Sequence, residues 1–218
     1  TSVARDIGFL EAVEIDPVVV HGGGKAITRA MEKAGLKANF IQGQRVTDEA
    51  TVQIVDEVLS REINPEVVAT IKSLGGQAVG FAGTDIFKCR KLWLDDKENP
   101  GKKLDIGYVG EVVGVNTDPL KECIWSGFTP VISPTARGED GKIYNCNADV
   151  AAAQVALALK AKRLPAGSGA KLNCGQVFHG ASLGVDSESV NFRKGVRKRP
   201  NTQATPALRE QWVLHRPT

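Results

Sequence analysis

Long apolar runs and closely spaced cysteines are both missing from this 218-residue sequence. No run approaches the roughly 20 apolar residues that a membrane-spanning helix needs. The four cysteines form no CxxC pair, which argues against a zinc site or a disulfide framework and favours free thiols in a reducing cytoplasm. Residues 1–16 mix acidic and apolar side chains and do not resemble a secretory signal peptide. We therefore expect a cytoplasmic protein with no membrane association.

Acidic residues are scarce in one part of the chain. Residues 162–218 contain ten Lys or Arg against three Asp or Glu, whereas the rest of the chain has 18 basic and 22 acidic residues. From residue 171 onwards no convincing period of 2 or 3.6 is present. We therefore divide the chain into a globular part at residues 1–164 and an irregular basic tail at residues 165–218. The tail is either loosely ordered or a small patch for nucleic acid or an acidic partner, and its few aromatics make nucleic acid the weaker alternative.

Strand and helix patterns alternate through the globular part. Short apolar runs predict strands at residues 17–20, 77–81, 129–133 and 143–147. Periodic apolar residues predict helices at residues 25–34, 47–59, 64–74, 118–126 and 148–161, with Thr47 and Asn64 as N-caps. Residues 104–115 alternate around Gly107 and Gly110, which predicts a hairpin. This order of elements is typical of an α/β fold with a mainly parallel sheet.

Three consecutive glycines follow the first of these strands. Gly22, Gly23 and Gly24 stand between a run of three valines and a predicted helix. Backbone N–H groups at such a helix N-terminus attract anions, and the absence of Cβ atoms allows close approach. The alternative is a purely structural turn, but the placement between strand and helix favours a phosphate or oxyanion site.

Arg45 stands just before the predicted helix that begins at Thr47. The positive end of a helix dipole is an unfavourable neighbour for a cation unless an anion is also present. A guanidinium binds a carboxylate through two hydrogen bonds. Arg45 is therefore a candidate carboxylate ligand, and the alternative is a surface salt bridge with Asp48 or Glu49.

A second polar group surrounds the start of the last predicted helix. Asn145 and Asn147 alternate and so lie on the same side of a strand. Asp149 follows at the start of the helix. The two amides are candidates for binding a polar substrate, with Asp149 holding a cationic group in place. The alternative is that Asp149 only caps the helix.

Two other motifs suggest different chemistries, and their context excludes both. Ser182 lies in a G-x-S-x-G motif, but the segment before it is a poor strand. The 36 residues that follow cannot supply the remaining elements of an α/β-hydrolase. The glycines around Ser168 lack the spacing of a phosphate-binding P-loop.

Taken together, the motifs of residues 3–164 resemble the amino acid kinase family, and within it the enzymes that phosphorylate N-acetyl-L-glutamate. Five segments carry the resemblance and occur in the family's order: VVVHGGG at 18–24, QRVTD at 44–48, DIGYVGEV at 105–112, TPVISP at 129–134 and YNCNADVAA at 144–152. Each segment alone is weak, whereas the combination is specific.

The resemblance implies a three-layer αβα sandwich that phosphorylates the side-chain carboxylate of N-acetyl-L-glutamate with Mg-ATP, a step of arginine biosynthesis. It implies that Gly22 and Gly23 face the phosphoryl group and that Arg45 binds the α-carboxylate. Asn145, together with Asn147, would hold the N-acetylated substrate, and Asp149 would organise the catalytic lysines. It further implies a lid at residues 104–115 and a homodimer, with no metal bound by the protein itself.

Two departures from the family pattern affect the expected activity. The strand that carries a lysine and a Gly-Gly turn, found before the first segment in the family, is absent here. After Leu164 the Thr-Asp-x-x-Gly turn, the ATP-binding region and a second lysine are also absent. We therefore expect an incomplete kinase fold that retains the acyl-substrate half. The alternative is a non-catalytic or regulatory module that binds an acylated amino acid.

Overall fold

The computed structural model describes residues 15–161, together with Arg5, Ile7, Leu10 and Glu11. The predicted basic tail at residues 165–218 lies outside the described residues, and so does its predicted boundary at residue 164. Within the described part, no helix combines the length and the apolar character that crossing a membrane requires.

Nine strands and six α-helices have described bounds, and the described residues Arg5, Ile7, Leu10 and Glu11 are also helical. The strands are β1 (Val19–Val20), β2 (Phe40–Ile41), β3 (Gln44–Arg45), β4 (Ala78–Phe81), β5 (Phe87–Asp95), β6 (Lys103–Val115), β7 (Thr129–Ile132), β8 (Thr135–Gly138) and β9 (Ile143–Cys146). The helices are α1 (Gly24–Lys33), α2 (Glu49–Asp56), α3 (Asn64–Ser73), α4 (Gly83–Ile86), α5 (Asp118–Trp125) and α6 (Ala148–Ala158). A π-helical segment, Glu57–Ile63, joins α2 to α3 without a break.

A parallel sheet in the order β1-β7-β4 forms the middle layer. Alternate residues of each strand face opposite sides, as the strand period of two requires. One face packs on α3, and its buried or half-buried members are Val19, Ala78, Val131 and Ile71. The other face packs on α5 and α6, with Val20, Phe81, Ile132, Leu120, Ala151 and Val155. Helices therefore cover both faces of the sheet, which confirms the predicted three-layer α/β fold.

A closed barrel of four strands, β5-β6-β9-β8, lies beside the sheet and shares its core. The predicted hairpin within residues 104–115 is wrong, because β6 runs without a turn from Lys103 to Val115 and pairs with β5. Gly107 and Gly110 mark close contacts rather than a turn. A Cβ at Gly107 would collide with the Thr47 carbonyl, and one at Gly110 would lie 2.8 Å from Cys89 Sγ.

Two predicted helix caps are also wrong. Asp48, not Thr47, caps α2, since its carboxylate accepts a hydrogen bond of 2.7 Å from the Thr51 N–H. Asn64 caps nothing, because the π-helical segment continues directly into α3. Its side chain is buried instead and binds backbone and side-chain groups at the end of the sheet.

Candidate functional site

The glycine turn leaves β1 at the carboxyl edge of the parallel sheet and forms the N-terminus of α1. Ligands of open α/β sheets bind at this edge. No side chain caps α1, and its first turn holds no acidic residue. Among the described residues, none accepts a hydrogen bond from the N–H groups of Gly22, Gly23 or Gly24. The turn thus presents donors that an anion can use.

Each glycine of the turn has different surroundings. A Cβ at Gly22 would meet only Ala148 Cβ, at 3.9 Å, so this position stays open on the side of α6. A Cβ at Gly23 would collide with Ile63 and lie 2.7 Å from Leu59 Cδ2. Gly23 is therefore required by close packing against the π-helical segment, whereas Gly22 has room for a ligand.

Arg45 is buried beside this turn, with 7% of its surface exposed. Its Nη2 donates to the Gly24 carbonyl at 3.1 Å and to Thr28 Oγ1 at 2.9 Å, and its Nη1 lies 3.3 Å from Met31 Sδ. The Phe40 ring covers the guanidinium at 4.7 Å. These contacts hold the arginine along one face of α1, from Gly24 to Met31.

No carboxylate of the described residues pairs with Arg45, so the alternative of a salt bridge with Asp48 or Glu49 is not realised. Burial lowers the pKa of Arg45, although a guanidinium remains protonated in proteins. An arginine carries five N–H groups. Nη2 uses both of its hydrogens and Nη1 uses one, so two N–H groups are left for a ligand. The site therefore contains a buried cation without a counter-ion from the described chain.

The segment that carries Arg45 is fixed to the middle of β6. Thr47 N donates to the Ile106 carbonyl at 2.9 Å, and Tyr108 N donates to the Thr47 carbonyl at 2.6 Å. Asn145 Nδ2 donates to Thr47 Oγ1 at 3.4 Å. This weak bond brings Asn145 next to the Arg45 segment. The sequence did not indicate Thr47 as the link, because the N-cap pattern drew attention to its helix instead.

Asn147 is the N-cap of α6. The alternative in which Asp149 caps this helix is therefore not realised. Its Oδ1 accepts hydrogen bonds from Asp149 N at 2.9 Å and Val150 N at 3.1 Å. The amide NH₂ of Asn147 is the part that remains for a ligand. Asp149 is half-buried in the first turn of α6, and it forms no ion pair with any residue in the described ranges. Its predicted role of holding a cationic group stays a prediction.

A cavity of about 640 Å³ opens beside the glycine turn, between β1, α1 and α3. Valines and isoleucines form its walls, and Lys25, Arg29 and Glu66 bring charge to it. No group of three or more His, Cys, Asp or Glu that could hold a metal ion occurs in the part of the chain that the structure describes. The cavity thus borders Gly23 and Gly24, whereas Arg45, Asn145 and Asp149 do not line it.

Sequence reasoning missed a pair of residues beneath the turn. Asn64 Nδ2 lies 3.2 Å from His21 Nε2, and His21 Nδ1 lies 3.2 Å from the Gly22 carbonyl. The Asn64-Pro65 pair has the appearance of a helix start, which concealed the buried role of Asn64. A sequence signal for His21 was its place between the valine strand and the first glycine.

Comparison with known proteins identifies the family. The model of the amino acid kinase family matches residues 1–168. The acetylglutamate kinase of Herminiimonas arsenicoxydans is 46% identical over 165 residues, which is 75% of this chain and 56% of that enzyme. The acetylglutamate kinase of Paraburkholderia phymatum is 47% identical over 163 residues, covering 74% of this chain and 54% of that enzyme. The chain thus spans about half the length of the curated relatives it matches.

Solved structures agree on the fold. The protein smu.665 from Streptococcus mutans superposes with a TM-score of 0.64 at 25% identity, over 72% of this chain and 61% of that one. The N-acetylglutamate synthase of Neisseria gonorrhoeae superposes with a TM-score of 0.55 at 22% identity, over 72% of this chain and 37% of that one. With a family model that matches more than half of its length, this chain belongs to the amino acid kinase family.

Proposed function

We propose that this chain binds N-acetyl-L-glutamate and presents its side-chain carboxylate for phosphorylation by ATP. The observation that carries the proposal is the buried Arg45, which lacks a carboxylate partner among the described residues and donates to the Gly24 carbonyl of the glycine turn. The similarity to acetylglutamate kinases over about three quarters of the chain supports the choice of substrate.

Each site residue has a distinct task in the proposed reaction. The two remaining N–H groups of Arg45 bind the α-carboxylate and orient the substrate. Asn145 binds the acetylated amino group from the Thr47 side, and Asn147 contributes its amide NH₂. The N–H groups of Gly22 and Gly23 stabilise the negative charge that is shared by the attacking carboxylate and the phosphoryl group.

Mg-ATP enters the proposed reaction as a substrate. Phosphoryl transfer needs positioning and charge neutralisation rather than a covalent intermediate, so glycine N–H groups and an arginine are suitable partners. The balance of the step is simple: a carboxylate oxygen forms a bond to the γ-phosphorus while the bond to the β,γ-bridging oxygen breaks, which gives an acyl phosphate and ADP. In the family pattern Asp149 organises a lysine near the phosphates, and no lysine or arginine of the described ranges pairs with it in this chain.

A second candidate function is binding of an acylated amino acid without phosphoryl transfer. It is favoured by residues 165–218, where the family's nucleotide-binding motifs are absent from the sequence. This alternative keeps the roles of Arg45 and Asn145 and drops the role of ATP.

Incubation of the full 218-residue chain with N-acetyl-L-glutamate, Mg-ATP and hydroxylamine separates the two functions. Hydroxylamine traps an acyl phosphate as a hydroxamate, which mass spectrometry detects. Hydroxamate that requires ATP supports the kinase, and the Arg45→Ala variant should form less of it. Binding of N-acetyl-L-glutamate without hydroxamate supports the binding module, and the absence of both contradicts the proposal.

A further inference from the structure

His21 and Asn64 form a buried pair directly beneath the glycine turn. His21 is 9% exposed and Asn64 is 4% exposed. His21 follows β1, while Asn64 stands where the π-helical segment becomes α3. The Asn64 amide also donates to the Val131 carbonyl of β7 at 2.9 Å, and its Oδ1 occupies the space that a Cβ at Gly80 of β4 would need. Asn64 therefore contacts all three strands of the parallel sheet, either directly or through His21.

These contacts determine the orientation of the Asn64 amide and the tautomer of His21. A carbonyl can only accept, so the Asn64 atom that faces Val131 is the NH₂ group. The same NH₂ group lies 3.2 Å from His21 Nε2 and 3.5 Å from the Phe81 carbonyl, so three acceptors share its two hydrogens. The shorter of the two remaining contacts gives the second hydrogen to Nε2, which accepts it and carries no proton. The proton of a neutral imidazole then resides on Nδ1, where it donates to the Gly22 carbonyl at 3.2 Å.

The hydrogen bond from His21 acts on the peptide that joins Gly22 to Gly23. The described backbone contains no cis peptide bond. In a trans peptide the carbonyl and the following N–H point to opposite sides. Because the Gly22 carbonyl faces the His21 ring, the Gly23 N–H is directed away from it. Gly23 also lacks a Cβ, so the peptide would rotate more freely without this bond.

We propose that His21 and Asn64 are positioning residues that fix the Gly22–Gly23 peptide with its Gly23 N–H free for a bound anion. Asn64 holds the ring in the Nδ1–H tautomer, and the ring holds the peptide. The value of this arrangement for phosphoryl transfer rests on the proposed function, whereas the tautomer and the peptide orientation do not. Neither residue touches the reacting atoms in this account.

The surroundings of His21 agree with a neutral ring. Burial lowers the pKa of His21, and the hydrogen bond to the Gly22 carbonyl opposes this only in part. A proton on Nε2 would face the Asn64 NH₂ group, which is also a donor. Glu66, Lys25 and Arg29 are the charged residues that line the same cavity. None of them forms a hydrogen bond or ion pair with His21 within the described ranges.

The direct test is the ¹⁵N spectrum of the full chain labelled at histidine, recorded without any ligand. We expect His21 at neutral pH to show a protonated Nδ1 and an unprotonated Nε2. Asn64→Asp places a carboxylate opposite Nε2, so we expect that nitrogen to become protonated and the pKa of His21 to rise. The exposed Asn99→Asp serves as the matched control and should leave the His21 signals unchanged. A wild-type Nε2–H tautomer or an imidazolium would overturn the proposal.

Two substitutions of His21 separate positioning from simple packing. Asn places its amide near the position of Nδ1, whereas Gln places its amide near the position of Nε2. If the bond to Gly22 matters, His21→Asn retains the wild-type signal of the Gly23 N–H and His21→Gln shifts it. We also expect His21→Gln to bind N-acetyl-L-glutamate about fivefold more weakly, because one hydrogen bond contributes about 1 kcal/mol.

The outcomes of this comparison are separable. Equal Gly23 signals in both variants, or a wild-type signal in His21→Gln, would overturn the proposal. If the wild-type chain fails to bind N-acetyl-L-glutamate, the proposed function fails. The tautomer and the Gly23 signal then still decide whether the pair positions the peptide.

Discussion

Arg45 is a cation that the described chain buries without a counter-ion. Its contacts with Gly24, Thr28 and Met31 hold the side chain in one place but leave its charge unneutralised. Leaving a buried charge unpaired is costly, and such costs are typical of sites that receive an ion of opposite sign. Sequence reasoning found this residue from its position before a helix, but only the structure shows that it contacts the glycine turn.

Replacing Arg45 should weaken substrate binding more than it weakens the fold. Arg45→Ala removes the guanidinium, and Arg45→Lys keeps the charge but loses the planar fork. Hydrogen bonds to charged groups contribute about 1.5–3 kcal/mol, so we expect affinity for N-acetyl-L-glutamate to fall at least about tenfold in both variants. The rise in melting temperature that the ligand produces should shrink accordingly.

Arg61→Ala is the control for this experiment. The Arg61 side chain is 72% exposed, and among the described residues its one ion pair is with Glu57 on the same helical segment, at 3.3 Å. The rise in melting temperature that N-acetyl-L-glutamate produces in Arg61→Ala should equal the rise in the wild type. An undiminished rise in Arg45→Ala would show that the buried arginine does not contact the ligand.

Gly22 and Gly23 should respond differently to alanine. The new methyl group at residue 22 has only Ala148 nearby, so the stability should change by less than about 0.5 kcal/mol while ligand binding weakens. The methyl group at residue 23 enters the space of Ile63 and Leu59, so we expect a loss of about 1–3 kcal/mol. Urea denaturation followed by ligand titration measures both effects. Wild-type affinity in Gly22→Ala would place the ligand elsewhere.

At the scale of elements, helix starts were predicted less well than helix bodies. The valines and leucines of α2 and the π-helical segment are buried as their spacing indicates, including Val52, Val55 and Leu59. Caps depend instead on which of several neighbouring polar side chains reaches a free N–H group. In this chain Asp48 and Asn147 do so, whereas Thr47 and Asn64 make tertiary contacts that a local pattern does not contain.

The cap of α6 can be tested without a ligand. Asn147→Ala removes the acceptor for Asp149 N and Val150 N, so we expect a loss of about 1 kcal/mol. Asn147→Asp keeps an acceptor oxygen and should lose much less. Guanidinium denaturation of both variants provides the comparison. Equal stability of Asn147→Ala and the wild type would mean that the side chain does not cap this helix.

The contact between β6 and the Arg45 segment can be tested with two glycines that share a backbone conformation. Gly107 has a φ of 81° and Gly101 a φ of 90°, so alanine is strained at both by about 1–2 kcal/mol. Only at Gly107 would the methyl group collide, with the Thr47 carbonyl, while no atom lies within 4 Å at Gly101. Gly107→Ala should therefore lose about 1–3 kcal/mol more. Equal losses of stability in Gly107→Ala and Gly101→Ala, measured by thermal denaturation, would argue against the contact between β6 and Thr47.

At the scale of the whole molecule, the parallel sheet was predictable and the barrel was not. Short apolar runs of four to five residues between helical patterns predict parallel strands, and β1, β4 and β7 form the parallel sheet. The barrel is closed by the pairings of β5 with β8 and of β6 with β9, which the sequence pattern does not indicate. Glycines that allow close contact interrupt the alternation of β6, and on sequence alone they have the appearance of turns.

The described part of the molecule brings three distant segments to one edge of the sheet. Arg45 contacts Gly24, Asn145 contacts Thr47, and Ala148 lies opposite Gly22. The glycine turn, Arg45 and Asn145 are thereby joined through observed contacts or close approach, whereas Asn147 and Asp149 are linked to each other by the cap of α6. The motifs predicted the members of this group, while the contacts that join them came only from the fold.

Calorimetric titration of the full chain with N-acetyl-L-glutamate tests this account most directly, when it is repeated with the α-methyl ester and in the Arg45→Ala variant. The account predicts that the ester binds the wild type more weakly, and that Arg45→Ala binds acid and ester with equal, low affinity. The two losses are then not additive, as for groups in direct contact. No heat of binding for N-acetyl-L-glutamate, or losses that simply add, would contradict the account.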